Sequence, residues 1–242
     1  MNQDNTALTS PPARRADAGT VRPGDRDIAG LLLCGEMYGA PYDLLALSLG
    51  VCEDRLRGIV ARWRKAGYVQ TGRLGPGPAW CWLTRPGLSV SGLGHAPSRP
   101  ALGRLAHIRA VLAARLWLAR GQAWQDGQAW WHSERRLRAA RPPGSTGHVP
   151  DAEIHWPSIV SSPYAGQVWA LEVELTPKPL ARTTGIMTGM LSPLRYAVVV
   201  YLAAPAARPV VTRAAAGLPA GDQSRIAVRE LPAAAFGLEP SR

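Results

Sequence analysis

Two glutamates and an aspartate give the clearest sign of chemistry in this sequence. From Leu171 to Leu175 apolar residues alternate with Glu172 and Glu174, as in a β-strand whose successive side chains point to opposite faces. The two glutamates therefore share one face. If the segment that begins at Asp151 pairs with this strand, three carboxylates converge, and such oxygen ligands are what a hard cation such as Mg²⁺ requires.

The same alternation also fits a half-buried strand whose polar face is turned to solvent, and the pattern alone leaves both interpretations open. Two more charged residues lie close by in sequence. Glu134 follows an aromatic segment and Ser133, which can cap a short helix or turn. Lys178 lies between two prolines, in an extended loop from which its amine can reach back toward Glu174.

Composition predicts a polyanionic partner. The chain has 242 residues, 46% of them hydrophobic, which is enough for one large or two modest domains, and two are favoured. The net charge is +11 and only two of the 28 basic residues are lysine. Such an arginine-rich balance is typical of proteins that bind nucleic acid.

Other classes of site find little support. The three cysteines are widely spaced, so neither a disulfide framework nor a zinc site is indicated. The five histidines form no metal-binding pair at helical spacing, and His107 in particular is expected to serve packing or the surface. No apolar run reaches the length of a membrane span and no signal peptide is evident, so a cytoplasmic protein without a membrane partner is expected.

The N-terminal third predicts a compact unit of three helices and a hairpin. Residues 1–25 lack periodicity and are expected to form a disordered arm. Helices are predicted over 27–37, 42–49 and 52–66, followed by strands over 68–74 and 79–83 around a Gly-Pro-Gly-Pro turn. This order resembles the winged helix-turn-helix family over about residues 26 to 88.

The winged-helix resemblance implies that the third helix enters the major groove of duplex DNA. Arginine suits this role because its rigid fork can grip a phosphate or a guanine with two parallel hydrogen bonds. A solvated basic helix face, or a winged helix used for protein contact, is the alternative. The expected DNA contacts are Arg55, Arg57, Arg62, Arg64, Lys65 and Arg73.

The rest of the chain predicts a second, α/β domain. Residues 84–100 are rich in Pro, Gly and Ser and are expected to form a linker, with a boundary near residue 95. A long amphipathic helix follows over 102–121. Strands and helices then alternate, which implies an α/β sheet.

A set of short motifs carries a more specific resemblance. They are Trp-His-Ser-Glu-Arg, His-Val-Pro-Asp-Ala, Ala-Leu-Glu-Val-Glu-Leu-Thr-Pro-Lys, Arg-Tyr and Val-Tyr-Leu, in that order. Together with the winged helix they resemble the replication-relaxation family of actinobacterial plasmids and integrative elements, over residues 26 to about 232. The resemblance implies an arm (1–25), a winged helix (26–94), a PD-(D/E)XK nuclease-like domain with a central mixed sheet (95–235) and a tail (236–242), α+β overall.

In the nuclease pattern a helical Glu, a strand Asp and a strand Glu-x-Lys surround a divalent metal, and Glu134, Asp151 and Glu172 match the first three by position. Glu174 stands where that pattern has lysine, and only Lys178 is near enough to replace it. These five are the implied catalytic residues. Asp151, Glu172 and Glu174 are the implied Mg²⁺ ligands.

The function implied is that of a DNA-binding protein of a plasmid or mobile element. Whether it also hydrolyses DNA phosphodiesters with a metal ion is left open by the sequence. The alternatives are a transcriptional regulator, a factor that recruits replication or transfer proteins, and an RNA-binding or scaffold module. Winged helices often bind paired half-sites as dimers, so a homodimer is a further expectation.

Overall fold

We describe a computed structural model of the chain, which covers residues 23–121, 129–158, 163–192 and 195–236. The predicted arm and tail lie almost wholly outside these ranges. The fold is mixed α/β, with a three-stranded and a five-stranded sheet. Among the described residues no helix is long and apolar enough to cross a membrane.

The N-terminal elements confirm the predicted order of three helices and a hairpin. The third helix buries Leu56, Ile59, Val60 and Trp63 at helical spacing, and Gly50 ends the second helix in the left-handed conformation with φ 63°. The elements are α1 (Asp25–Glu36), β1 (Ala40–Pro41), α2 (Tyr42–Leu49), α3 (Glu53–Lys65), β2 (Val69–Gly72) and β3 (Trp80–Leu83).

The short strand β1 adds a third strand to the predicted hairpin. It pairs antiparallel with β3, and β3 pairs antiparallel with β2, in the order β1-β3-β2. Val69 faces Leu83 and Gly72 faces Trp80, so residues 73–79 form the hairpin loop.

The prediction that residues 84–100 form only a linker is wrong. Arg85–Val90 is a helix, α4, whose first amides are capped by the side chain of Thr84. Gly87 packs so closely that an added Cβ would lie 1.9 Å from the carbonyl oxygen of Tyr68. Pro86 and Gly87 are therefore a helix start and a close contact rather than loop signals.

The five-stranded sheet has the order β4-β5-β6-β7-β8. Its first three strands form an antiparallel meander, and β6, β7 and β8 run parallel, joined by helices. A helix before the sheet and one after β4 complete the unit. The elements are α5 (Leu105–Ala119), β4 (Trp130–Ser133), α6 (Glu134–Ala140), β5 (Ala152–His155), β6 (Val168–Glu174), α7 (Leu180–Leu191), β7 (Val198–Ala203), α8 (Arg208–Ala216), α9 (Ala220–Gln223) and β8 (Ile226–Glu230), with 3₁₀ turns at Leu102–Arg104 and Ala233–Phe236.

The sheet is covered on both faces. Leu171 and Val173 belong to a core that also contains Leu112 of α5 and extends without a break into α1, α2 and α3. Tyr201, on the opposite face, packs with Met187 of α7 and with residues of α8. Because the first core is continuous, the N-terminal helices and the sheet are packed together as one body.

Candidate functional site

The structure brings Asp151 and Glu172 together. Asp151 immediately precedes β5, which pairs with β6 so that Ala152 faces Leu171. The Oδ2 atom of Asp151 accepts a hydrogen bond of 2.8 Å from the amide of Val173, the residue after Glu172. The predicted pairing of these two segments is confirmed, and it places two carboxylates side by side.

Both glutamates of β6 are buried. Glu172 is 3% exposed and Glu174 is 6% exposed, so the alternative in which this face is turned to solvent is wrong. Burial disfavours the charged carboxylate, and the nearby charge of Asp151 adds to the effect. Together they raise the pKa of Glu172 to about 7.

Two histidines for which the sequence predicted no chemical role contact these carboxylates. Nε2 of His148 lies 2.7 Å from Oε1 of Glu172, and Nε2 of His107 lies 2.8 Å from Oδ1 of Asp151. His107 thus contacts Asp151, and the expectation that it serves packing or the surface rather than chemistry stays a prediction. His148 could have been found from its place three residues before Asp151, whereas His107 reaches the site from α5, far away in sequence.

The pKa values of both histidines are raised by their carboxylate partners. The bond to Glu172 is the largest influence on His148 and raises its pKa, although partial burial opposes it. Burial is the largest influence on His107 and acts to lower its pKa, but the bond to Asp151 and the charge of that group outweigh it, so the pKa is raised. Both histidines thus favour the protonated form more than a free histidine does.

Lys178 reaches back to the site, as its position between two prolines predicted. Its Nζ atom lies 2.7 Å from Oε2 of Glu174, and its charge also favours the ionised form of Glu172. An ammonium group is therefore present near the carboxylates, although Glu174 stands at the position where the nuclease pattern has lysine.

Glu134 borders the site, but both of its carboxylate oxygens are engaged. Its amide donates a 3.0 Å hydrogen bond to the carbonyl oxygen of Asp151. The carboxylate binds Arg104 at 2.6 Å and Arg138 at 2.8 Å. The helix capped by Ser133 thus brings Glu134 beside Asp151, while its charge is neutralised by the two arginines.

Tyr201 belongs to the Val-Tyr-Leu motif, although it was not among the expected site residues. It lies opposite Glu172 in the parallel pairing of β6 and β7, and its buried hydroxyl has no hydrogen-bond partner among the described residues. Burial raises the pKa of Tyr201, and the charges of Glu172, Glu174 and Asp151 raise it further. A free donor therefore lies near the three carboxylates.

We call the group of Asp151, Glu172, Glu174, His148 and Lys178 the acidic site. Its donors fit a hard divalent cation, since carboxylate oxygens are the ligands that Mg²⁺ prefers. The donor types therefore fit Mg²⁺, whereas the group of described residues whose ligand atoms all lie within 4.8 Å of one another is a different one, on β4 and β5.

We compared the chain with protein-family models, with curated proteins and with solved structures, and none of them matches. The resemblance to the replication-relaxation family therefore stays a prediction from the sequence.

The second candidate region is the outward face of α3 with the hairpin loop. All six basic residues expected to contact DNA are exposed. Arg57 pairs with Glu53 and Asp54 on the same helix, and Arg62 lies 3.5 Å from Asp27. The other four form no ion pair with any described residue. We call this set of six the basic surface: Arg55, Arg57, Arg62, Arg64, Lys65 and Arg73.

Two small residues occupy the centre of the outward face of α3. Gly58 and Ala61 lie opposite the buried stripe of the helix and are both exposed. No atom lies within 4 Å of the position that a Cβ on Gly58 would take. Glycine in the middle of a helix costs about 1 kcal/mol relative to alanine. Packing within the described part of the chain gives no reason for that cost.

Proposed function

We propose that this chain binds duplex DNA through α3 and the hairpin loop, in the manner of a winged helix, as a DNA-binding protein of a plasmid or mobile element. The observation that carries the proposal is the basic surface: four of its six cations are exposed and without ion pairs in the described part of the chain. The helix-helix-helix-hairpin order supports it.

The shape of α3 suits a groove. An α-helix fits the major groove of B-DNA, where base edges lie within reach of side chains. Arginines flank a centre made of Gly58 and Ala61, so the helix axis can approach the groove floor closely while the guanidinium groups reach the phosphates on either side. Arg73 extends the same charge to the hairpin loop.

The test is duplex binding measured by fluorescence anisotropy over a range of salt concentrations. The double variant Arg55→Ala/Arg64→Ala should bind at least about tenfold more weakly, and the dependence of log K on log salt should become shallower by about 1 for each phosphate that the variant no longer neutralises. Arg213→Ala, which removes an exposed arginine of α8, is the matched control. Equal binding by the double variant and the control would exclude α3 as the DNA contact.

A second candidate function is metal-dependent cleavage of a DNA phosphodiester at the acidic site. It is favoured by the gathering of Asp151 and Glu172 and by the presence of Lys178 beside Glu174. Asp151 and Glu172 would hold Mg²⁺, with Glu174 as a further ligand, and the bound ion would polarise a phosphoryl oxygen. Lys178 can stabilise negative charge.

The competing proposal is a non-catalytic regulator or recruitment factor in which the acidic site has no turnover. Nicking of supercoiled plasmid with Mg²⁺ or Mn²⁺ separates the two. Asp151→Asn should abolish nicking and leave duplex binding unchanged, because Asp151 is not part of the basic surface. Nicking that survives this substitution would remove the catalytic assignment, and absence of nicking in the unmodified chain would favour the regulator.

A further inference from the structure

A second group of possible metal ligands lies on β4 and β5. His132 of β4 faces Glu153 of β5 in the antiparallel pairing, and His155 follows Glu153 by two residues, so all three side chains leave the same face of the sheet. One ligand atom from each lies within 4.8 Å of the others. None of the three belongs to the acidic site or to the basic surface.

The distances inside this group are close to those of a coordination sphere. Nε2 of His155 lies 2.9 Å from Oε2 of Glu153, and the rings of His132 and His155 are 4.1 Å apart between centroids. Ligands around a tetrahedral zinc ion are roughly 3.3 Å from one another, given metal–ligand bonds of about 2 Å. Small rotations of the two partly exposed imidazoles would therefore suffice.

The carboxylate of Glu153 is held in a fixed orientation. Its Oε1 atom accepts hydrogen bonds of 2.6 Å from the hydroxyl of Tyr196 and 2.6 Å from the guanidinium of Arg195. Its Oε2 atom is thereby directed to His155. Carboxylates that bind metals are commonly held by such outer hydrogen bonds, which leave the other oxygen free to coordinate.

We infer that His132, Glu153 and His155 form a binding site for a transition-metal dication, Zn²⁺ in the first place, separate from the acidic site. Two imidazoles and one carboxylate are a donor set that zinc prefers and that Mg²⁺ does not. Three protein ligands leave one position for water or an incoming ligand. For His155 to coordinate through Nε2, that nitrogen must carry no hydrogen: in a neutral imidazole the hydrogen moves to Nδ1, and an imidazolium loses the Nε2 proton to solvent.

The surroundings of the group allow a metal to bind. His132 is partly exposed, so its imidazole can turn toward the other two ligands. Arg195 is bound to Glu153, and its positive charge would repel the metal. It is about half exposed and can turn outward while Tyr196 keeps its hydrogen bond to Glu153.

The test is calorimetric titration of the chelator-treated full-length chain with Zn²⁺, in the presence of excess Mg²⁺. The unmodified chain should bind one Zn²⁺ that Mg²⁺ does not displace, and Co²⁺ in its place should give the intense visible absorption of a tetrahedral complex. His132→Ala and His155→Ala should each weaken Zn²⁺ binding at least about 100-fold. Tyr196→Phe, which loses only an outer partner, should weaken it by roughly 10-fold.

Two control variants make the result specific. His95→Ala removes a histidine outside the group, and Asp151→Asn disables the acidic site; both should leave Zn²⁺ affinity unchanged. Circular dichroism and the melting temperature check the folding of each variant, and Glu153→Gln offers a milder change that keeps an acceptor for Tyr196. No Zn²⁺ binding by the unmodified chain, unchanged binding by both histidine variants, or loss of binding in Asp151→Asn would each overturn the inference.

Discussion

His148 and Glu172 are joined by a contact of 2.7 Å between Nε2 and Oε1. It links the loop before β5 to the centre of the sheet, and it connects a partly exposed imidazole to a carboxylate that is 3% exposed. Two groups that interact so strongly take up and release protons as a pair. Because the pKa of Glu172 is raised to about 7 and that of His148 is also raised, the pair changes its charge near neutral pH.

The metal-free protein should lose stability as pH rises through neutrality. A carboxyl whose pKa is about 7 when folded and about 4.5 when unfolded binds more protons in the folded state, so ionising it costs about 3 kcal/mol of folding free energy. His148 and His107 have raised pKa values, and their stabilisation is also lost as pH rises.

Melting temperatures between about pH 5.5 and about pH 8.5, measured with a chelator present, check this sign. Glu172→Gln should show a flatter profile than the unmodified chain. The difference between the two proteins cancels the opposite contributions of His95 and His132, whose pKa values are lowered. Parallel profiles for the two proteins would show that Glu172 ionises normally.

Mg²⁺ should stabilise the folded chain through the acidic site. At a concentration one hundred times the Kd, a ligand that binds only the folded state adds about 2.7 kcal/mol, which for a chain of this size is roughly 5 to 10 °C in Tm. Asp151→Asn should abolish the shift. Asp25→Asn, at an exposed aspartate in the first turn of α1, should retain it, and an equal shift in both variants would place Mg²⁺ elsewhere.

The sequence predicted most elements, because their patterns are local. The alternation around Glu172 and the stripe from Leu56 to Trp63 each identify one element without any tertiary information. The burial of the glutamates could not be predicted in this way, since it depends on α7 and α8 covering the same face. His107 contacts Asp151 for a similar reason: α5 brings it beside the residue that precedes β5, and no spacing in the sequence encodes that contact.

Gly58→Ala should change stability and DNA affinity in opposite directions. Alanine favours a helix over glycine by about 1 kcal/mol, and nothing within 4 Å obstructs the new methyl group. The melting temperature should therefore rise. Duplex binding should weaken several-fold, because the methyl group holds the helix away from the groove floor.

The control for Gly58→Ala is Gly185→Ala in α7, where an added Cβ also meets open space. It should stabilise the chain to a similar degree and leave duplex binding unchanged. If Gly58→Ala binds DNA as tightly as the unmodified chain, the close approach of α3 to the groove is wrong.

Tyr201→Phe should separate stability from metal binding at the acidic site. The buried hydroxyl has no partner among the described residues, and removing an unsatisfied polar group from a protein interior is neutral or stabilising by up to about 1 kcal/mol. The same hydroxyl lies near three carboxylates and can donate to a water that a bound Mg²⁺ holds. We expect an unchanged or higher Tm without metal and a smaller increase in Tm on adding Mg²⁺. An unchanged increase would show that the Tyr201 hydroxyl plays no part in Mg²⁺ binding.

Exchanging the charges of Glu174 and Lys178 gives the sharpest test of the acidic site. Glu174→Lys alone replaces the buried carboxylate that pairs with Lys178 by a second ammonium group. Because the two like charges then face each other without a partner, the substitution should destabilise the chain by about 3 kcal/mol. Glu174→Lys/Lys178→Glu restores an ion pair four residues apart and should recover most of that loss. A double-mutant cycle in urea measures the coupling.

The exchanged variant also puts lysine two positions after Glu172, where the nuclease pattern has it. If the site cleaves DNA, nicking of supercoiled plasmid with Mg²⁺ should be retained or increased in the exchanged variant, because an ammonium group still faces the reacting phosphate. Lys178→Gln should lower nicking at least about tenfold while Mg²⁺ still raises the melting temperature. Full nicking by Lys178→Gln would show that its amine serves only to neutralise Glu174.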